Sequence, residues 1–343
     1  MTDVIKHEDG DVCVTDLPNG RRRLELLPRN SKVFISRKVC ETSYSNELIA
    51  SFLRLNGFSW LCDWIARDQD PTYLERSLRV SIFSFVPESS FRARRLLDFG
   101  CGAGASSVVF GRMLPETEIV GVELDTQLLE LAEAIAHHHG LSNVRFLPSP
   151  SSTELPPSVG VFDFVVLSAV YEHLLPNERR QLMPLIWGVL SAGGTLFLNQ
   201  TPHRYFPIEM HSTGLPFINY LPDRLAHWVA VRFGSKSSIN QSPDWNEHLR
   251  GGIRGATERE ILHNISTSSG PLPLLLEPCL PELRDRVDLW LSELNPQRYR
   301  PAKLLLKVIL KPIYYSLGTV FVPNLSIAIR KGTQLESNRL NVL

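Results

Sequence analysis

Leu97-Asp98-Phe99-Gly100-Cys101-Gly102-Ala103-Gly104 is the stretch on which the rest of the chain can be placed. Ahead of its glycines, Arg95 to Phe99 is a short apolar run and predicts a strand; behind them, Ala105 to Met113 keeps a helical period. Three glycines at alternate positions directly after a strand mark a turn where backbone passes close to a ligand and a helix starts at once. Working outward, Glu118 to Glu123 predicts a second strand and Thr126 to His139 a long helix stopped by Gly140. Asn143 to Leu147, Phe162 to Ser168 and Gly194 to Gln200 predict three more strands. The helix before the last of these carries Leu182, Leu185, Ile186 and Leu190 and is expected to close at Gly193-Gly194. Strands alternating with helices imply a parallel, doubly wound α/β sheet. Leu272 to Leu276 and Val322 to Arg330 bring the expected count to seven strands.

The flanks read differently. Residues 1–40 are polar, rich in Arg and turn formers, and read as an irregular N-terminal arm. Residues 41–90 read as a helical cap, with one apolar stripe through Leu48, Ile49, Phe52, Leu53 and Leu55 and another through Trp60, Leu61, Trp64 and Ile65. The α/β domain is expected over residues 91–335. Within it, 201–255 reads as a long loop covering the substrate, rich in Pro, His, Asn and aromatics. Residues 278–318 read as a helical insertion, and Thr257 with Glu260 forms a capping-box pattern ahead of a further helix.

The chain has 343 residues with 36 basic and 36 acidic side chains, so net charge gives no argument for nucleic acid as a partner. Five scattered cysteines without a CxxC spacing argue against a disulfide framework or a zinc site and suit a reducing, cytoplasmic compartment. No run reaches the roughly 18 apolar residues of a spanning helix.

Glycine spacing separates two kinds of nucleotide site. A nicotinamide fingerprint places its third glycine three residues after the second; here Gly104 comes two residues after Gly102, and the acid Asp98 precedes the turn. The segment closely resembles the first motif of the class I S-adenosylmethionine-dependent methyltransferases, small-molecule branch, and the resemblance continues through Ile119 to Asp125. It implies S-adenosyl-L-methionine as cofactor, held by Asp98, Gly100, Cys101, Gly102, Gly104, Glu123, Leu124, Ser151 and Ser168. Glu123 would hold the two ribose hydroxyls, a task for an acceptor-only carboxylate. Asp98 would lie near the ligand's ammonium and sulfonium, and Leu124 would pack on the adenine. The family often has Asp-Ala beside the adenine amino group; here that segment is Pro150-Ser151-Ser152-Thr153, leaving Ser151 for the adenine edge.

For the methyl acceptor, the strand ending at Ser168 continues into Tyr171, Glu172 and His173. A Glu-His pair here resembles quinone-type O-methyltransferases, and an imidazole with a pKa of about 6.5 can take a hydroxyl proton. The alternative is a His173 that only packs beneath the cofactor. An adenine or glutamine N-methyltransferase would be expected to show Pro-Pro before the tyrosine; Ala169-Val170 stands there. The loop adds His203, Arg204, Tyr205, Glu209, His211 and Tyr220. Glu209 and His211 join Glu172 and His173 as candidate catalytic groups, with a purely structural role as the alternative. Their spacing with His203 fits no standard zinc pattern, so no metal is expected.

The expected enzyme transfers a methyl group to a hydroxyl, or to carbon, of a small-molecule, glycan or lipid-linked acceptor. Against it stand a non-catalytic cofactor-binding protein and, with least support, an NAD-dependent oxidoreductase. Leu294 to Gln334 contains no acid, and 298–318 is basic and amphipathic. Two readings stay open for it: peripheral contact with an anionic membrane, or a packed helix with snorkelling lysines.

Overall fold

A computed structural model describes residues 2–157, 159–234, 244–266, 273–293 and 300–332. The chain divides into two compact units, Met1–Leu78 with Cys101–Pro148, and Arg79–Gly100 with Ser149–Leu343.

The N-terminal residues correct the expectation of an irregular arm at 1–40. They form four strands, β1 (Thr2–His7), β2 (Gly10–Asp16), β3 (Arg22–Pro28) and β4 (Val39–Thr42), paired in the order β1-β2-β3-β4. Neighbouring strands are antiparallel. Side chains alternate along β2 and β3, so Val12, Val14, Leu24 and Leu26 face inward while the residues between them stay wetter. Helices expected over 41–90 follow as α1 (Asn46–Asn56), α2 (Leu61–Gln69), a π-helical turn at Pro71–Glu75, and α3 (Arg76–Phe83). Ser45 caps α1 by accepting the Leu48 N–H. Its buried stripe of Leu48, Ile49, Phe52 and Leu53 shares one core with Val12, Val14, Leu24 and Leu26.

The α/β alternation then appears as β5 (Arg95–Phe99), α4 (Ala105–Met113), β6 (Glu118–Glu123), α5 (Thr126–His138), β7 (Val144–Pro148), β8 (Phe162–Ser168), α6 (Pro176–Val189) and β9 (Leu190–Pro202). After β9 come α7 (Asp223–Phe233), α8 (Trp245–Arg250), α9 (Glu258–Ser266), β10 (Pro273–Leu275), α10 (Arg286–Glu293), α11 (Arg300–Leu317) and β11 (Asn324–Lys331). The seven strands run in the order β10-β11-β9-β8-β5-β6-β7. Pairings β5–β8, β8–β9 and β6–β7 are parallel, while β11 pairs antiparallel with β9 and β10. This is the doubly wound, mostly parallel α/β fold expected from the sequence.

Two local expectations change. Gly193-Gly194 does not close α6: the helix ends at Val189, and both glycines lie inside β9, where the pairing with β8 slips register. Gly193 takes φ +81° there, as a bulge in a strand requires. The stretch 201–255 is not a plain loop, because α7 and α8 fold within it. The buried residues of α7 are Ala226 and Ala230, too small a stripe to stand out as amphipathic. Leu272, the proposed start of a strand, lies outside the described residues.

Candidate active site

The glycine turn is built from backbone in the left-handed region. Gly100, Gly102 and Gly104 have φ of +74°, +54° and +79°, values that a side chain resists. In the first unit, Cys101 anchors the turn by donating its N–H to the Val122 carbonyl at 3.1 Å. A Cβ on Gly104 would stand 2.6 Å from that of Ala132, so the glycine lets α4 close against α5. A Cβ on Gly102 would meet nothing nearer than Trp64 at 3.7 Å, which leaves its backbone approachable. Glu123 ends β6, with Oε2 accepting the Gly102 N–H at 2.9 Å and Oε1 accepting those of Leu124 and Asp125. Three N–H groups leave part of its lone-pair capacity for a ligand hydroxyl. Leu124 is 53% exposed, an apolar surface next to that carboxylate. These features fit a nucleoside with a ribose diol.

In the second unit, Asp98 is buried at the end of β5, and a Cβ on Gly100 would run into Val170 at 2.7 Å. Ser168 ends β8 half-buried. The hydroxyl of Ser151 accepts the Thr153 N–H and bonds the Thr153 hydroxyl, so this serine orders its own turn.

The polar end of β8 continues through Ala169, whose φ of +54° is strained for a residue with a Cβ, into a single 3-10 turn at Tyr171–His173. Buried Tyr171 donates its hydroxyl to Glu260 and accepts from Asn264, while the Arg179 guanidinium lies 4.6 Å from its ring centre. Glu172 is fully buried. Its Oε2 accepts the Thr201 hydroxyl at 3.3 Å; its Oε1 has no hydrogen-bond partner among the described residues and lies 4.0 Å from His173 Nε2. Burial pushes Glu172 up to about 7, against the pull of the Thr201 hydroxyl and the Arg179 charge. His173 Nδ1 donates to the Arg250 carbonyl at 2.6 Å, which places the tautomeric hydrogen on Nδ1 and turns the Nε2 lone pair toward Glu172. Burial lowers the His173 pKa, so the neutral ring is favoured. The His211 ring centre lies 5.3 Å from that of His173. Glu172, His173 and His211 each offer a ligand atom within 4.8 Å of the others.

Residues 96–194 match a family model described as a methyltransferase domain. This stretch is thus a methyltransferase domain. The cofactor that goes with this domain is S-adenosylmethionine. An uncharacterised protein of Rickettsia prowazekii is 27% identical over 105 residues, which cover 31% of this chain and 42% of that protein. Ribosomal protein L11 methyltransferase of Shewanella piezotolerans is 25% identical over 194 residues, 52% of this chain and 63% of that protein. The match thus spans less than two thirds of either relative. Among solved structures, the YcgJ protein of Bacillus subtilis is similar with a TM-score of 0.43 at 17% identity, covering 75% of this chain and 99% of that one.

One histidine-loop expectation for the methyltransferase domain needs revising. Glu209 is buried, and its oxygens accept the N–H groups of His211, Ser212 and Thr213 together with the Thr213 hydroxyl. A carboxylate so occupied holds the loop and is not a free base. His203 accepts the Tyr205 N–H at Nδ1 and packs edge-on to Phe321; burial takes it down to about 4, which keeps it neutral. Neither belongs to the cluster of three.

Residues that the sequence reading passed over complete the cluster. Thr201 bonds Glu172, and Arg250 orients His173 through its carbonyl while its guanidinium grips both oxygens of Glu178. Arg179 donates to the carbonyls of Glu172, Leu174 and Gly255. Gly252 takes φ +82°, and a Cβ there would lie 2.6 Å from His211 Cδ2 and 3.2 Å from Glu172 Cγ. The Arg-Gly-Gly-Ile-Arg-Gly run at 250–255 was the available signal, because paired glycines between arginines mark backbone that must approach something closely.

Proposed function

We propose that the protein is an S-adenosylmethionine-dependent methyltransferase that acts on a hydroxyl oxygen of a small-molecule, glycan or lipid-linked acceptor. The observation that carries this reading is the meeting of Glu172, His173 and His211 immediately beyond β8. Methyl transfer needs the acceptor oxygen held in line with the methyl carbon and sulfur, and it needs the hydroxyl proton removed. A buried carboxylate and two imidazoles supply acceptor atoms and positioning for both. On the donor side, the motif resemblance assigns the ribose hydroxyls to Glu123, the approach of the nucleoside to the backbone at Gly102, the positive end of the cofactor to Asp98, and the adenine to Leu124.

The name of the Shewanella relative points to a protein acceptor, and a direct assay separates the classes. Labelled S-adenosylmethionine is incubated with the protein and fractionated cell extract, and the label is followed into metabolite, lipid and polypeptide fractions. Label confined to polypeptide would overturn the acceptor class; no transfer to any fraction would favour a cofactor-binding protein without catalysis. With an acceptor in hand, His173→Ala and His211→Ala are expected to lower kcat by about a hundredfold or more, with affinity for S-adenosylhomocysteine little changed. Unaltered turnover in both variants removes the cluster from the reaction.

One observation favours a lipid-linked acceptor and contact with a membrane surface. Along α11, Leu304, Leu305, Val308, Ile309, Tyr315 and Leu317 are exposed, although Leu310 is buried in a core with Val287 and Trp290. Among the described residues no helix is long and apolar enough to cross a membrane.

A further inference from the structure

The geometry points to a divalent metal site of the zinc class formed by Glu172, His173 and His211, with a remaining coordination position for the acceptor oxygen. Its role at that oxygen rests on the proposed O-methylation; the binding of the ion does not.

Four structural features of one donor set converge on the same space. The donor set is two imidazoles and one carboxylate, which suits zinc in sites that keep a position open, and also ferrous iron. Among the described residues Glu172 Oε1, in a fully buried side chain, has no hydrogen-bond partner. Such an atom is costly unless a cation or donor meets it. It lies 4.0 Å from His173 Nε2, too far for a hydrogen bond. Two ligands on one tetrahedral zinc are about 3.4 Å apart, given metal–ligand bonds of about 2.0–2.1 Å. A shift of roughly half an ångström therefore closes the pair onto an ion.

His173 is oriented as a metal-bound histidine is. Its Nδ1–H is held by the Arg250 carbonyl, and the opposite nitrogen faces the gap. The third feature is the support behind His211: Glu209 accepts its N–H and those of the next two residues, and Ser212 donates to the Gly251 carbonyl. The fourth is Gly252, where any side chain would press on both His211 and Glu172. That glycine keeps clear the volume in which the two would meet an ion.

The chemistry balances without a further reactant. The acceptor hydroxyl binds the ion, which acidifies it, and its proton passes to water. The oxygen then forms a bond to the methyl carbon as the carbon–sulfur bond breaks with its electron pair going to sulfur. Ether and S-adenosylhomocysteine result.

Zinc titration of the chelator-stripped full-length protein, followed by calorimetry, is expected to show one site. Glu172→Gln, His173→Ala and His211→Ala should each weaken it at least about tenfold. Circular dichroism and S-adenosylhomocysteine binding confirm that the variants fold. Cobalt in the same site should give d–d bands without thiolate charge transfer, since no cysteine belongs to the cluster. A second group of candidate ligands, His7, Glu8 and Asp9, sits in the β1–β2 hairpin. Binding that survives all three substitutions, disappears only in His7→Ala, or carries thiolate bands overturns the proposal, as does failure to bind zinc, ferrous iron or cobalt. Stoichiometric zinc in a protein that methylates nothing leaves the site standing and removes the proposed function alone.

Discussion

Asp68, on α2, is a carboxylate buried to 2% exposure, and it survives there because a hydroxyl, an imidazole and a guanidinium surround it. His139 lies 2.7 Å from Oδ2, Arg112 lies 3.1 Å from Oδ1, and the buried Tyr44 hydroxyl donates to Oδ2. Burial alone would raise its pKa, but the His139 hydrogen bond and charge, with Arg112 and Tyr44, outweigh burial and hold it below the usual carboxylate range. A folded-state pKa below the unfolded value of about 3.9 stabilises the folded chain above that pH. The contribution is lost as pH falls through the folded value. Asp68→Asn should therefore cost about 3 kcal/mol in denaturant unfolding at neutral pH and flatten the loss of stability below about pH 4. An equal acid slope in wild type and variant would show that other carboxylates set it. Residues of this kind are poorly legible in sequence, since Tyr44, Asp68, Arg112 and His139 are far apart along the chain. By contrast Asp98, the three glycines and Glu123 announce themselves by short local spacing. Glu172 and His173 were also visible as an adjacent pair, whereas the fold alone brings His211 and Gly252 to them.

At the scale of elements, the α/β alternation was legible because each strand is a continuous apolar run and each helix holds its period over several turns. The N-terminal strands were not, because β3 alternates leucines with charges over only seven residues and its Arg-rich start reads as coil. The structure gives that alternation a direct consequence. Leu26 is fully buried against the α1 and α2 stripe, while its neighbour Leu27 is 42% exposed. Leu26→Ala should cost about 2–5 kcal/mol, and Leu27→Ala within about 0.5 kcal/mol. Denaturant midpoints read the difference; equal small effects would return the segment to an unstructured arm. The same logic explains why α7 was missed, for a helix that buries only alanines has no bulky stripe to reveal it.

At the scale of the whole molecule, the balanced net charge conceals an acid-free C-terminal region whose cations are partly spoken for. Lys307 pairs with Asp288, and Lys311 pairs with both Asp285 and Asp288. These are the snorkelling lysines of a packed helix, and their pairing reduces the positive charge they offer to anionic headgroups. Its exposed leucines, valine and isoleucine remain, with no carboxylate along the helix to oppose them. Attraction to a membrane surface should then come mainly from apolar burial and depend weakly on salt. The full-length protein is expected to co-sediment with vesicles containing anionic lipid, to retain most of that binding as salt is raised, and to lose it in Leu304→Glu/Val308→Glu. Binding that vanishes with salt would assign the contact to other cations. Vesicle binding unaltered in the double variant would remove α11 from it, and a concentration-dependent dimer lost in that variant would identify a second copy of the chain as its partner instead.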